Sequence, residues 1–502
     1  MTAPAGRTPG AAGLVAAGIL LSRILGLIRN RVFAHYFGTS DAADAFNAAF
    51  RIPNFLQNLF GEGVLSASFI PVYAGLRARG QEQEARRVAG AVAALLGLVV
   101  SVLVLAGVAL TPLLIDVIAP GFSGEKRSAT IRLVRILFPG AGLLALSAWC
   151  LGVLNSHRRF FLAYSAPVVW NLAIIAALVG YGSGTPQYPL AEIAAFGSVA
   201  GSLLQFGIQL PTVVRLLGGL RTGPVQISEP VRSVLRNFGP VFVGRGVVQI
   251  SAYVDTLLAS LLPTGAVAAV AYAQVLYTLP VSLFGMSVSA AELPEMSSAT
   301  GDDERRAAYL RGRLSAGLRQ IAYFVVPSAA AFLALGDVVV GALYQSGEFT
   351  RPMTLYVWAI LAGSAIGLLA STLGRLYAST YYALQDTRTP LRFALVRVGL
   401  MIGLGYLFTI PLPPAVGLDP RWGAAGLTVA AGLAGWIEFL LLRRSLNRRI
   451  GPTGLPAPLL LRLWGSAFFA AAVAWVLRLV LPDDRPLLAG AVLLAAYGVL
   501  YF

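Results

Sequence analysis

One cysteine (Cys150), two histidines (His35 and His157) and a single lysine (Lys126) are spread over 502 residues. A lone thiol excludes an internal disulfide, and the apolar run around Cys150 assigns it to packing. Two histidines cannot build an HExxH helix or a multi-histidine metal centre. No GxxxxGK[ST] stretch occurs, so an ATP-binding loop of that type is absent and any work has to be driven by a membrane potential, an ion gradient or substrate consumption elsewhere. Charge is scarce too: 12% of residues are charged against 57% hydrophobic, and the mean hydropathy is +0.75. Those values lie outside the range of soluble globular domains and indicate a polytopic membrane protein.

The charge that is present is mostly positive, with a net value of +16. In a soluble protein this would suggest nucleic acid. Here the arginines gather in short loops between apolar runs, where they set orientation, which argues against DNA or RNA.

With ~20 apolar residues per crossing, the sequence predicts helices near 11–37, 43–76, 86–118, 129–155, 161–182, 189–217 and 231–262, then near 266–298, 306–336, 354–384, 389–411, 422–446, 458–481 and 485–502. The expected fold is therefore all-α with about fourteen spans. The first apolar run is read as a retained helix, since Arg23 and Arg29 interrupt it and no small-residue cleavage site ends it. Arginines cluster after every second helix: Arg77, Arg79, Arg86 and Arg87; Arg158 and Arg159 with His157; Arg215, Arg221, Arg232 and Arg236; Arg305, Arg306, Arg311 and Arg313; Arg388 and Arg392; and Arg443, Arg444, Arg448 and Arg449. By the positive-inside rule both termini are then expected on the cytoplasmic side.

Two internal similarities suggest a repeat. LFGEGVLSASFIP at 59–71 is similar to LFGMSVSAAELP at 283–294, and LNSHRRF at 154–160 to LQDTRTP at 384–390. The offset of about 225–230 residues spans six helices, which keeps topology and matches the parallel repeats of transporters. The expected organisation is a lobe of helices 1–6 over residues 1–222, a lobe of helices 7–12 over 223–450, and two additional helices over 451–502. Pro53, Pro71, Pro139, Pro167, Pro240, Pro280, Pro294 and Pro327 fall in or beside spans, where each removes a backbone hydrogen bond.

The stretch from 20 to 73 stands out because otherwise apolar helices there carry Arg23, Arg29, Arg31, Asp44, Arg51 and Glu62. A charge at membrane depth costs from about three to over ~10 kcal/mol, so these groups need partners, water or a charged ligand. Arg29 follows Arg23 by six positions. The two side chains are thus about 120° apart and roughly 9 Å apart along the axis, a spacing suited to one wide cavity.

Taken together, SRILGLIRN (22–30), DAFNAAFRIPNFLQNLFGEG (44–63), VIAPGF (117–122), LNSHRRF (154–160), YQSGEFT (344–350) and QDTRTP (385–390) resemble the lipid II flippase family, MurJ or MviN, of the multidrug/oligosaccharidyl-lipid/polysaccharide exporter superfamily. The resemblance covers roughly the first 400 residues, with helices 13 and 14 matching the family's extra pair by hydropathy and position. It implies a transporter and not an enzyme. Its cargo would be the undecaprenyl-pyrophosphate-linked peptidoglycan precursor, lipid II or a related glycolipid, moved by alternating access from the inner to the outer leaflet of the bacterial cytoplasmic membrane. It further implies that Arg23 and Arg29 are cavity arginines, that Asp44 and Asn54 match the family's helix-two acid and asparagine, and that Arg375 stands where a basic residue occurs. No cofactor is implied. Coupling to Na+, H+ or the membrane potential stays open, as do contacts with membrane lipids and cell-wall synthesis proteins.

Three positions depart from the family pattern: Asn30 follows the second helix-one arginine where an acid is common, and Gln57 and Val275 stand where arginines are expected. Arg245, Asp255 and Arg397 are the candidates to refill that charge, with Asp255 also a candidate for ion coupling or for a pair with Arg397 or another arginine. Arginine suits a pyrophosphate cargo because it stays charged and grips phosphate oxygens in bidentate fashion. Glu292 and Glu295 are expected to form a solvated network with the arginines at 305–313. Three alternatives are carried forward. One is a sister exporter of another lipid-linked oligosaccharide or a cation-coupled drug exporter. The second is a membrane enzyme acting on polyprenyl lipids, disfavoured by the short external loops, and the third is a non-transporting scaffold, disfavoured by the cost of the intramembrane arginines.

Overall fold

The computed structural model describes residues 9–60, 62–219, 228–299, 302–480 and 486–502; the side chains at 9–16, 57–59, 62–64, 66–67 and 239–252 lie outside the described residues. Among the described residues there is helix and no strand. The chain runs through α1 (Pro9–Phe37), α2 (Asp41–Phe60), α3 (Glu62–Ala78), α4 (Glu82–Ala109), α5 (Thr111–Ile118), α6 (Gly124–Ser156), α7 (Phe160–Tyr181), α8 (Gln187–Leu217) and α9 (Glu229–Ser260). It continues through α10 (Ala266–Pro280), a π-helical turn (Val281–Met286), α11 (Ser287–Ser297), α12 (Asp303–Ala334), α13 (Gly336–Tyr344), α14 (Arg351–Ala383), α15 (Arg388–Thr409), α16 (Leu412–Ala415), α17 (Gly423–Ile450), α18 (Ala457–Arg478) and α19 (Pro486–Tyr501). Ten helical stretches among the described residues are long and apolar enough to cross a membrane.

Helices fall where the apolar runs predicted them, with informative breaks. The run near 86–118 divides at Leu110 into α4 and the short α5, which carries Pro112 in its first turn, a position that proline's missing N–H tolerates. The run near 266–298 stays helical throughout but changes pitch to a π turn directly after Pro280, where a lost hydrogen bond is absorbed by a wider turn.

Two compact units form, Met1–Leu257 and Leu258–Phe502, so most of α9 lies with the first. Within the first unit α6 is the enclosed helix, with 78% of its apolar window buried. It packs Trp149, Leu151 and Leu154 against Phe69 and Tyr73 of α3 and Val88 and Val92 of α4. In the second unit α14 crosses α17 at Gly367 and Gly432, where a Cβ on Gly432 would stand 3.0 Å from the Gly367 nitrogen. Small residues give such backbone contact its dispersion energy without a side chain between. By contrast α15 is only 11% buried in its window and exposes Leu391, Leu395, Ile402 and Tyr406, the pattern of a lipid-facing helix.

The order of elements repeats along the chain. The segments α2 and α3, α4, the eight-residue α5 and α6 begin at 41, 82, 111 and 124, and α10 and α11, α12, the nine-residue α13 and α14 begin at 266, 303, 336 and 351. Among the described residues, the non-glycine residues with left-handed backbone are Arg158 (φ 58) and Gln385 (φ 59), and each lies in the connection that follows the long helix of its half, α6 or α14. Left-handed geometry is costly for a side chain, so its recurrence at matching connections is structural support for the repeat.

The C-terminal helices are fastened to α12 and α13. Tyr497 Oη donates to the Pro327 carbonyl at 2.8 Å, Tyr501 Oη to the Tyr323 carbonyl at 2.9 Å, and Arg478 Nη1 to Asp337 Oδ2 at 2.8 Å.

Candidate functional site

In the first unit, α1 and α2 are joined by a tight turn whose residue Gly38 takes φ 52. Ser40 caps the following helix, its hydroxyl accepting from Ala43 N at 3.2 Å. This puts Asp41 and Asp44 in the first turn of α2, where the helix dipole favours negative charge. Asp44 is 1% exposed. Its carboxylate receives Lys126 Nζ at 2.6 Å, and the same ammonium reaches Asp41 Oδ1 at 2.8 Å and lies 4.4 Å over the Phe122 ring. Asp44 therefore stands in a buried ion pair across to the start of α6.

Further along, an aromatic ladder separates that pair from Arg29. Phe33 packs on Phe37 at 4.4 Å and on Phe46 at 4.9 Å, Phe46 on Phe50 at 5.7 Å, and Phe50 on Trp170 at 5.8 Å. At its end the guanidinium carbon of Arg29 lies 4.9 Å from the Trp170 ring centre and 6.0 Å from that of Phe50. Arg29 Nη2 also donates to Asn30 Oδ1 at 3.1 Å. For a half-buried guanidinium each such cation–π contact stabilises by about 0.5–2 kcal/mol.

Arg51, one residue beyond Phe50, is tied to α9. Its carbonyl accepts from Tyr253 Oη at 3.1 Å, Phe55 meets the Tyr253 ring at 5.7 Å, and Asp255 acts on its guanidinium electrostatically. Arg51 is thus an arginine on which Asp255 acts; in the second unit, Arg397 Nη1 donates to Glu438 Oε2 at 3.2 Å. Arg397 is thus engaged by an acid one helix away, on α17.

Of the remaining sequence candidates, Arg23 on α1 is exposed and Asn54 on α2 is half-buried. Arg375 on α14 is exposed and belongs to the second unit. The side chains of Arg245, Gln57 and Glu62 lie outside the described residues. Arg29, Asp44 and Asn54 share the α1–α2 hairpin of the first unit, with Asp44 committed to Lys126. The glutamates at the end of α11 do meet the arginines of α12: Arg313 donates to Glu292 from Nε at 2.9 Å and Nη2 at 3.2 Å and lies 4.0 Å from Glu295. Val275 is half-buried on α10, with Gln274 exposed beside it.

Sequence reasoning missed Trp170 and the structural partner of Lys126. Both pairings join helices more than eighty positions apart, and the only local signal is an aromatic within an apolar helix. It also missed Asp337, which is 5% exposed in its side chain and accepts from Arg351 Nη2 at 2.6 Å as well as from Arg478. These three groups line a cavity of about 170 Å³ with Gln345 and Leu493.

Ten helical stretches among the described residues, each long and apolar enough to cross a membrane, define a multi-pass helical membrane protein. The family model described as "Lipid II flippase MurJ" matches residues 33–496. A probable lipid II flippase MurJ of Rhizobium meliloti (strain 1021) is 33% identical over 461 residues, covering 90% of this chain and 83% of that protein. The lipid II flippase MurJ of Burkholderia cenocepacia is 31% identical over 505 residues, covering 96% and 94%. Among solved structures, a lipid II flippase MurJ in an inward closed conformation has a TM-score of 0.76 at 24% identity, covering 97% of both chains. A multidrug resistance MATE family transporter of the MOP superfamily, in an inward-facing conformation, has a TM-score of 0.69 at 16% identity, covering 87% of this chain and 98% of that one. The chain belongs to the lipid II flippase MurJ family.

Proposed function

We propose that the chain is a lipid II flippase, a transporter and not an enzyme, acting by alternating access to carry lipid II from the inner to the outer leaflet of the bacterial cytoplasmic membrane. The observation that carries this reading is the family match over residues 33–496. On this reading both termini are cytoplasmic, in keeping with the arginine-rich loops.

The cargo's head is a sugar-bearing pyrophosphate that must be shielded from hydrocarbon while its polyprenyl tail stays in lipid. Arg29 is suited to the phosphates because a guanidinium stays charged and can grip phosphate oxygens in bidentate fashion. We assign Arg23, Asn54, Arg245 and Arg375 to further contacts with the head. The buried pair with Lys126 makes Asp44 the anchor of the α1–α2 hairpin more than a cargo ligand. No cofactor takes part. Asp255, acting on Arg51, is the candidate acid for coupling to Na+, H+ or the membrane potential. Membrane lipids and cell-wall synthesis proteins are the remaining partners of this reading.

The test is complementation of a bacterium depleted of its own lipid II flippase, read by outer-leaflet lipid II. Rescue by the wild-type chain and loss of rescue by Arg29→Ala at equal membrane abundance are expected. No rescue by a properly inserted wild-type chain overturns the reading and leaves a sister exporter of another lipid-linked glycan, which the neutral Gln57 and Val275 would suit.

A further inference from the structure

At the start of α14 one carboxylate oxygen serves two guanidiniums. Arg351 Nη2 and Arg478 Nη1 both donate to Asp337 Oδ2, at 2.6 and 2.8 Å. A guanidinium has several N–H donors, and a shared oxygen engages one nitrogen of each. Sharing also brings two like charges together, so the described lining of this cavity carries a formal charge of +1, two arginines against one aspartate. Asp337 is buried, whereas the side chains of Arg351 and Arg478 are 41% and 24% exposed, so both cations keep an open face.

The rest of the wall adds a donor and then turns apolar. Gln345 accepts from Thr354 Oγ1 through Oε1 at 3.1 Å, which occupies its amide oxygen and leaves the NH2 group to donate. Val338 and Leu493 form an apolar floor, closed where Gly490 of α19 packs on Ala342 of α13 so tightly that a Cβ would overlap it. The cavity lies wholly within the second unit, where α14 begins, α18 ends and α19 begins. Both α14 and α18 are long and apolar enough to cross a membrane, and the ends of such helices stand at the level of lipid headgroups. Leu479, Val480, Leu487 and Leu488, next to Arg478 and Pro486 in the chain, are exposed. A free anion gains nothing from that rim, whereas a lipid gains contact for its chains.

We propose that this cavity binds the phosphate of an anionic phospholipid, with Arg351 and Arg478 gripping its oxygens and Asp337 holding the two guanidiniums side by side. The single negative charge of a phosphodiester balances the lining. The inference stands apart from the identity of the transported cargo.

The experiment measures binding of dioctanoyl-phosphatidylglycerol to the delipidated full-length protein in detergent, beside dioctanoylglycerol and inorganic phosphate, with thermal stability recorded for each variant. Phosphatidylglycerol is expected to bind, dioctanoylglycerol not to bind, and inorganic phosphate to bind at least about tenfold more weakly. Arg351→Gln and Arg478→Gln should each weaken phosphatidylglycerol binding about tenfold. Tyr497→Phe removes a hydrogen bond of α19 without touching the cavity, and should hold binding within about twofold. Because the arginine variants risk loosening α18, a second arm leaves the protein unaltered: phosphatidylglycerol with a diazirine on its head glycerol is photocrosslinked, and adducts are expected within 338–345 and 486–493. Inorganic phosphate bound as tightly as the lipid overturns the lipid source and leaves a free-phosphate site. A wild-type protein that binds no phosphatidylglycerol, arginine variants that bind it as the wild type does, or adducts confined to other segments overturn the site itself.

Discussion

Lys126, the single lysine of the chain, places its ammonium 2.6 Å from the carboxylate of Asp44, a residue 1% exposed to solvent. Breaking a buried pair by removing one partner costs more than the pair itself contributes, since the survivor stays charged and desolvated. Lys126→Met should therefore destabilise the protein by about 3–5 kcal/mol, and adding Asp44→Asn should recover much of that loss. Thermal unfolding in detergent is the measurement, and a Lys126→Met protein as stable as the wild type would contradict the assignment.

Asp337 accepts from two arginines that reach it from different helices, Arg351 on α14 and Arg478 on α18. Its replacement by Asn removes the charge both arginines share and loosens the attachment of the C-terminal helices. Faster hydrogen exchange confined to α18 and α19 is expected, with α6 unchanged. Uniform exchange across the chain would show that the tyrosine hydrogen bonds of α19 suffice.

The backbone crossing of α14 and α17 makes Gly367 and Gly432 sensitive. A methyl at Gly432 would meet the Gly367 nitrogen at 3.0 Å, whereas one at Gly374 would meet only the Leu442 Cδ1 at 4.0 Å. Gly432→Ala should cost about 1–3 kcal/mol, and Gly374→Ala should be neutral or slightly stabilising. Equal melting temperatures for the two variants would rule out the tight crossing.

Asp386, in the connection between α14 and α15, accepts from the Thr389 hydroxyl at 2.6 Å, from Thr389 N at 2.9 Å and from Arg388 N at 3.0 Å, and Arg449 lies 2.7 Å away. Bonding by Thr389 first, then its backbone N–H and Arg449, holds the carboxyl down to about 2. An unfolded aspartate titrates near ~3.9, so the contribution is complete above that pH and declines as acid takes the folded group through about 2. The stability advantage of the wild type over Asp386→Ala should be constant from pH 7 to about 5 and shrink below about 4. An advantage that grew on acidification would reverse the sign and exclude this cap.

Much of the architecture could be read from residues alone because a bilayer demands long apolar runs. Helix boundaries at α1, α6, α7 and α8 fall within a few residues of those runs. The connection chemistry was legible in part: Asp386 and Thr389 sit in a motif that stood out. What the residues could not convey was rotation about each helix axis. That Arg29 meets the Trp170 indole depends on how α1 and α7 are turned against each other, and no spacing within either helix records that. The same holds for Asp255, which acts on Arg51, and for Lys126, whose isolation in sequence hid a partner on α2. The π turn after Pro280 escaped for a different reason: proline signals a missing hydrogen bond but leaves open whether the helix bends, stops or widens.

That widened turn acquires meaning beside the glycine crossing. Where α14 and α17 touch main chain to main chain, no side chain can change rotamer to accommodate a shift, and the pair behaves as a stiff plank. Residues 281–286, whose hydrogen-bond ladder is already out of step, lie against α14 through Gly285 and Thr372. The second unit thereby sets a loosened coil directly beside a main-chain crossing that has no slack to give.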